Sequence, residues 1–230
     1  MELYDAIFKR KSIRKYSAET LTSKELDDVN DFLNHAKALN QSIQIEYEIR
    51  GNVKAIKKPN AFHFLLIYSE EKDDYLENAG FIFEQFVLYL TSKNLGSCWI
   101  GSAKSDEQKK DKSLVSVIAF GKAADTPFRE IDEFKRKSLP EISEGRDERL
   151  EAARLAPSSM NAQNWFFVAK SNKIELYQKD PNMIQKALMS RESKINMGIA
   201  LCHLYYATLK EEKNFIITKG ASQSLCKPLN

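Results

Sequence analysis

The segment LEAARLAPSSMNAQNW, residues 150–165, joins a helical pattern to an aromatic strand through small polar residues. Pro157 ends the helical periodicity, and the apolar run that begins at Trp165 predicts a strand. Asn161 and Gln163 each carry a hydrogen-bond donor and an acceptor, so this loop can face a planar polar ligand. Read alone, the segment is explained at least as well by an Asx-rich connection between a helix and a strand.

A basic cluster near the start of the chain is the second motif. Arg10-Lys11-Ser12-Ile13-Arg14 follows a short helical pattern. In an extended or turn conformation alternate side chains share a side, so Arg10, Ser12 and Arg14 can converge on one target. Two guanidinium forks and a hydroxyl suit a phosphate dianion. Without further evidence, a solvated basic stretch is the simpler explanation.

The third motif is LGSCWIG, residues 95–101, which ends a helix predicted over residues 78–94. That helix is apolar on almost every side, which predicts burial nearly all round. The glycines on either side of Trp99 permit the close backbone approach that a flat ring system requires. A helix C-cap followed by a buried tryptophan explains the same letters equally well.

Four segments in this order carry a specific resemblance: RxSxR, LGSCWIG, KRK at residues 135–137, and LEAARLAPSSMNAQNW. From about Ile7 to about Leu204 the chain resembles the nitroreductase superfamily, in particular the single-chain branch labelled "putative TM nitroreductase". The resemblance implies an α+β, nitroreductase-like fold with antiparallel and mixed sheets flanked by helices. It also implies that the cofactor is FMN.

The chain shows signs of an internal repeat. Residues 78–83, NAGFIF, line up with residues 196–201, NMGIAL, and Pro59 before one predicted strand corresponds to Pro157 before another. In ordinary nitroreductases the small-residue loop follows soon after RxSxR, and two identical chains form the flavin sites. We therefore expect two diverged halves, residues 1–140 and 141–230, that imitate such a dimer in one compact unit with one composite site. Two unrelated segments of generic α/β pattern are the alternative.

The resemblance implies which residues hold FMN. Arg10, Ser12 and Arg14 resemble the phosphate and ribityl binders, with Lys11 assisting through its backbone. The other implied contacts are a backbone segment near the reactive face of the ring (Trp99, Ile100, Gly101), late basic residues over the phosphate (Lys135, Arg136), and a loop against the ring (Pro157, Ser158, Ser159, Asn161, Gln163). Asn164 departs from the proline usual at its position, and no acidic residue follows Trp99 where some members have glutamate.

The activity implied is that of an FMN-dependent oxidoreductase. Hydride would pass from NAD(P)H through flavin N5 to a nitroaromatic, a quinone or a similar acceptor, so no catalytic side chain is expected. His35, His63 and His203 lie in helical or strand patterns and are predicted to be packing or surface residues. Two alternatives stay open: a flavin- or nucleotide-binding protein without turnover, and a protein whose residues 9–15 bind anionic partners such as RNA.

Composition limits the other possibilities. The chain has 230 residues, and 35 basic against 32 acidic residues leave a net charge of +3. This balance gives little support to a nucleic-acid or membrane-surface protein, so an anion site has to be a local cluster. Cys98, Cys202 and Cys226 form no CxxC pair, and no metal site is expected. Without a recognisable signal peptide or membrane span, we expect a cytoplasmic protein, either a monomer or a homodimer.

Overall fold

The computed structural model describes residues 1–104, 109–179 and 183–218, with residues 183–190 described by their backbone alone. In chain order the described elements are α1 Leu3–Ile7, α2 Ser23–His35, β1 Ile45–Arg50, β2 His63–Ser69, α3 Tyr75–Ser92, β3 Gly96–Ile100, β4 Ser113–Gly121, α4 Leu139–Ile142, β5 Ser143–Glu144, α5 Arg149–Arg154, β6 Trp165–Lys170, β7 Lys173–Gln178 and α6 Met183–Lys210. None of the described helices combines the length and the apolar character needed to cross a membrane.

The strands form two sheets. Four antiparallel strands take the order β1-β2-β4-β3, with Leu65 opposite Ile118 and Cys98 opposite Ala119. The smaller sheet has the order β5-β6-β7, in which β5 and β6 are parallel and β6 and β7 antiparallel. The α+β class with antiparallel and mixed sheets is therefore confirmed.

The two long helices α3 and α6 form the centre of the core. A Cβ on Gly80 would lie 2.2 Å from the carbonyl oxygen of Ile195, and one on Gly198 would lie 1.9 Å from that of Glu77. No side chain fits at either glycine, so the helices cross with their backbones in contact. Each glycine meets the residue three positions before the other glycine. Such a reciprocal contact is what two related helices would make about a local two-fold axis, and the two-halves organisation stays a prediction.

Some sequence predictions fail at the periphery. The apolar run of residues 215–218 predicts a strand ended by Gly220, but residues 213–218 have no regular structure, and Gly220 lies outside the described part. Phe215 instead packs its ring against Phe81 and Tyr205, so the segment is held by side chains rather than by a strand ladder. The sequence pattern does not predict strands β1, β3, β5 and β7, and Cys226 also lies outside the described residues.

Candidate cofactor site

A cleft of about 350 Å³ lies where the start of the chain, β3, the small-residue loop and α6 meet. This volume is within the roughly 300–1,000 Å³ typical of small-molecule sites. Seven residues of the predicted site line it: Ser12, Arg14, Trp99, Gly101, Pro157, Ser158 and Ser159. Two motifs that are far apart in sequence therefore face the same cavity.

Residues 10–14 form one wall because they run beside β3. Ser12 makes a parallel bridge with Ser97, and the Ile13 N–H donates to the Ser97 carbonyl over 2.8 Å. Ser12 and Arg14 line the cleft, whereas Arg10 lies behind them and is only 2% exposed. Arg10 Nη1 donates to Ser12 Oγ over 3.5 Å, so it supports the wall from the protein side.

The small-residue loop forms the opposite wall with a constrained backbone. Met160, Asn161 and Gln163 have φ values of 51°, 56° and 48°, in the left-handed region that residues other than glycine rarely adopt. The Ser158 hydroxyl accepts the Gln163 N–H over 3.0 Å. The Ser159 N–H is held by Asn196 Oδ1 on α6, also over 3.0 Å. Such strain is typical of functional sites, where the surroundings hold an unfavourable conformation in place.

Four other predicted residues brace this loop and are not among the residues lining the cleft. Arg136 donates to the Ala156 carbonyl over 3.0 Å and to Asn161 Oδ1 over 2.7 Å. Asn161 Nδ2 in turn donates to the Lys135 carbonyl over 2.8 Å. Gln163 Oε1 accepts the backbone N–H of residue 137 over 2.7 Å. These hydrogen bonds fix the loop and residues 135–137 against each other.

The last two predicted residues, Lys11 and Ile100, do not line the cleft either. Successive side chains of a strand point to opposite faces, and Trp99 faces the cleft. Ile100 accordingly packs on the other side of the sheet, in a cluster with Phe64 and Val117. Its predicted contribution, like that of Lys11, was through the backbone.

The site gathers guanidinium groups with few compensating anions. Burial lowers the pKa of Arg10 to about 10, and burial, then the charges of Arg10 and Arg129, lower that of Arg136 to about 9. Burial also lowers the pKa of Arg129, with Arg14 adding to the effect. Arg10 Nε and Arg129 Nε are buried without a hydrogen-bond partner. The charged forms are destabilised as the site stands, and a bound anion would relieve that cost.

Arg129 was not predicted from the sequence. The backbone of its neighbour Phe128 bridges Arg10, and this pairing brings Arg129 to the cluster. Met160, Arg191, Glu192, Ile195 and Asn196 also line the cleft and were not predicted as site residues. Met160 lies within the small-residue loop and Asn196 begins one of the two aligned segments, whereas no motif marks Arg191, Glu192 or Ile195.

A buried polar network lies directly behind the tryptophan wall. The Trp99 indole N–H donates to Glu84 Oε2 over 2.9 Å, and His203 Nε2 lies 3.2 Å from Glu84 Oε1. Arg10 Nε is 3.9 Å from the same oxygen. The sequence signal for Glu84 was an isolated acidic residue in an apolar helix, and His203 was predicted to be a packing or surface residue.

Of the two described cysteines, Cys98 is among the residues that line the cleft and Cys202 is not. Cys98 and Cys202 are free and buried, and burial raises the pKa of the Cys98 thiol and that of Cys202. Within the described ranges, no group of three or more histidine, cysteine or acidic residues could hold a metal ion.

A family model described as "Putative TM nitroreductase" matches residues 2–208. No protein with a curated description matches the chain.

Solved structures share the fold. A "putative nitroreductase" from Thermotoga maritima MSB8 is 22% identical, with a TM-score of 0.76 over 100% of this chain and 94% of that chain. A nitroreductase family protein from Clostridium difficile 630 is 17% identical, with a TM-score of 0.53 over 61% of this chain and 96% of that chain. A "Putative NADH dehydrogenase/NAD(P)H nitroreductase" from Parabacteroides distasonis ATCC 8503 is 13% identical, with a TM-score of 0.50 over 63% and 98%. At these identities the likeness shows the fold, and the family model, which covers nearly the whole chain, shows the family. The chain therefore belongs to the nitroreductase family described as "Putative TM nitroreductase".

Proposed function

We propose that this protein binds FMN in the cleft and works as an oxidoreductase, taking reducing equivalents from NAD(P)H and passing them to a nitroaromatic, a quinone or a similar acceptor. Membership of the nitroreductase family supports the general class. The observation that carries the proposal is the meeting of the basic start with the 157–159 segment around one cavity. NAD(P)H and these acceptors are the more specific part of the proposal.

The donors present fit a phosphorylated, planar cofactor. Arg10 Nε has no hydrogen-bond partner, and burial lowers the pKa of Arg136 to about 9, so a bound anion would stabilise this cluster. Ser12 and Arg14, which line the cleft, would hold the phosphate end, and the charges of Arg10 and Arg136 would support it from behind the wall. The flat ring would lie between the small-residue segment Pro157-Ser158-Ser159 and the Trp99 side chain. When bound, FMN supplies the electron-transfer chemistry, and the protein supplies binding and orientation.

The chain's own residues prepare the cavity. The Ser159 N–H is fixed by Asn196, and the loop is fixed from behind by Arg136, so the wall is rigid before a ligand enters. Such preorganisation reduces the cost of ordering the site on binding. Ile195 and Ile199 add apolar surface that excludes water from part of the cavity.

The alternative of an RNA-binding surface at residues 9–15 is less favoured. Lys9 pairs with Glu130 at 2.9 Å, and Arg10 is buried. Of the two arginines in this region, Arg14 lines the cleft and Arg10 is buried behind it, an arrangement that suits a small anion better than an extended polyanion. A flavin-binding protein without turnover has the same cleft, so experiment has to separate it from the enzyme.

The test is the absorption spectrum of the purified protein, followed by titration of the apoprotein with FMN. We expect flavin bands near ~450 and ~370 nm. Arg14→Gln should weaken FMN binding at least tenfold, because a charge-assisted hydrogen bond contributes about 1.5–3 kcal/mol. Arg50→Gln is the matched control, since Arg50 lies on β1 and pairs with Glu48. Protein that stays colourless with added FMN would overturn the proposal.

Steady-state NADPH oxidation with menadione or nitrofurazone tests the enzymatic part. Turnover that depends on the acceptor supports the oxidoreductase. Stable FMN binding with no NADH or NADPH oxidation would leave a flavin-binding protein instead.

A further inference from the structure

Glu84 is a fully buried carboxylate, 0% exposed, at the centre of α3. Side chains from three other segments surround it: Arg10 from the start of the chain, Trp99 from β3 and His203 from α6. A buried charge is costly unless it is paired and hydrogen-bonded. Glu84 therefore ties the anion-binding segment and the cleft wall to the contact between the two central helices.

The histidine fixes the number of protons in this network. His203 Nδ1 is 2.9 Å from the Ala152 carbonyl oxygen, which can only accept, so Nδ1 carries a hydrogen. His203 Nε2 faces Glu84 Oε1 at 3.2 Å. A hydrogen bond between them requires a hydrogen either on Nε2 or on Oε1. In both cases the two side chains together have no net charge.

We propose that Glu84 and His203 hold one proton between them, so that Glu84 anchors Trp99 at the cleft wall without cancelling the positive charge that the arginines offer to an anionic ligand. Both are then positioning residues of the cofactor site. The part that concerns FMN rests on the proposed function, whereas the shared proton does not.

The electrostatic consequence follows from the surroundings of the pair. Arg10 is the nearest cation, and the Glu84 charge also acts on Arg136 and on the Cys202 thiol. If Glu84 were ionised and His203 were neutral, the carboxylate would cancel the charge of Arg10. Less positive charge would then remain for a phosphate. With the proton, Arg10, Arg129 and Arg136 remain in excess at the site.

The first test compares three variants by FMN titration. His203→Gln removes the proton-holding ring and leaves the carboxylate facing Arg10, so we expect the dissociation constant for FMN to rise about tenfold or more. Glu84→Gln can accept from Trp99 and donate to His203 Nε2 with no additional proton. We expect it to keep the FMN affinity within about threefold, and the double variant to recover the affinity lost in His203→Gln.

Other outcomes of the titration would contradict the proposal. A role limited to packing predicts that Glu84→Gln weakens binding as much as His203→Gln and that the double variant is no better. Circular dichroism and the unfolding midpoint of each variant show whether it folds.

The second test needs no cofactor. Ring-¹⁵N histidine spectra of the apoprotein report on His203, which is assigned as the signal left in a His35→Gln/His63→Gln variant. We expect a protonated Nδ1 together with either a protonated Nε2 or a carboxylic-acid infrared band that disappears in Glu84→Gln. A bare Nδ1 with an ionised Glu84 would overturn the inference even if FMN binds. Failure to bind FMN with the expected spectra would overturn the proposed function alone.

Discussion

Two turns of this molecule make similar hydrogen bonds to the central helices but differ in sequence and in backbone conformation. The first turn, residues 36–44, leads from α2 to β1, and the second turn, residues 156–164, leads from α5 to β6. The Leu39 N–H donates to Asn78 Oδ1 on α3 over 2.9 Å, as the Ser159 N–H does to Asn196 Oδ1 on α6 over 3.0 Å. Asn78 and Asn196 are the residues that begin the two aligned sequence segments.

The turns also end alike. The Gln44 carbonyl accepts the Glu70 N–H over 3.1 Å, and the Asn164 carbonyl accepts the Lys179 N–H over 2.9 Å. These contacts match β1 with β6 and β2 with β7. They favour a different correspondence from the one suggested by Pro59 and Pro157, which would match β2 with β6.

The difference between the turns lies in their side chains and backbone. The second turn has three left-handed residues, whereas none of the described non-glycine residues of the first turn has a positive φ. Lys37-Ala38-Leu39 stands where the second turn has Pro157-Ser158-Ser159, and Gln85 binds both the N–H and the carbonyl of Lys37. Similar hydrogen bonds thus surround a relaxed connection in the first turn and a strained cleft wall in the second. Strain marks the turn that we propose to be functional.

The largest effect is expected where the backbones of α3 and α6 meet. Gly198→Ala and Gly80→Ala would each place a Cβ against backbone atoms, at 1.9 and 2.2 Å, where no side chain can move aside. We expect each to lower the free energy of unfolding by about 3 kcal/mol or more, beyond the usual cost of overpacking. Gly51→Ala is the control, since its nearest neighbour is 3.9 Å away. Chemical denaturation measures all three, and a large effect at only one central glycine would break the comparison between the helices.

The two asparagines separate stability from ligand binding. Asn78→Ala leaves the N–H groups of Leu39 and Asn40 without their acceptor, and Asn196→Ala does the same to that of Ser159. We therefore expect both to cost about 1–3 kcal/mol of unfolding free energy. Only Asn196 holds the second turn, and only its loss should weaken FMN binding, by about tenfold. Urea unfolding and FMN titration of both variants provide the measurements. Equal losses of FMN affinity would show that the first turn also serves the site.

The two turns also show how far sequence reasoning reaches. The second turn and the basic start were predicted because each is a local run of residues and because their order along the chain resembles the nitroreductase superfamily. The relation of the first turn to the second could not be predicted, because it lies in backbone hydrogen bonds to Asn78 and leaves no shared letters in Lys37-Ala38-Leu39.

Long-range contacts explain what was missed within the site. Arg129 reaches the cluster through the bridge between Arg10 and Phe128, and His203 meets Glu84 only because α3 and α6 cross at their glycines. Asn161 and Gln163 were predicted as ring contacts from their amides, whereas the structure uses those amides to brace the loop. The amide side chains indicated that these residues need hydrogen-bond partners. Only the fold determines which groups those partners are.

The smallest expected effect concerns the strain that distinguishes the turns. Met160 is 87% exposed and has a φ of 51°, so its side chain buries little area while its backbone is held in the left-handed region. Met160→Gly removes that penalty, and we expect the unfolding free energy to rise by about 0.5–1 kcal/mol, after the greater flexibility of glycine in the unfolded chain is counted. Asn40→Gly, at the matching position of the first turn, should act in the opposite direction, because φ is not positive there and Asn40 Oδ1 accepts the Ser42 N–H over 2.9 Å. Thermal unfolding of the two variants shows whether the signs differ. If both variants are destabilised, the second turn is not strained, and the two turns differ in side-chain chemistry alone.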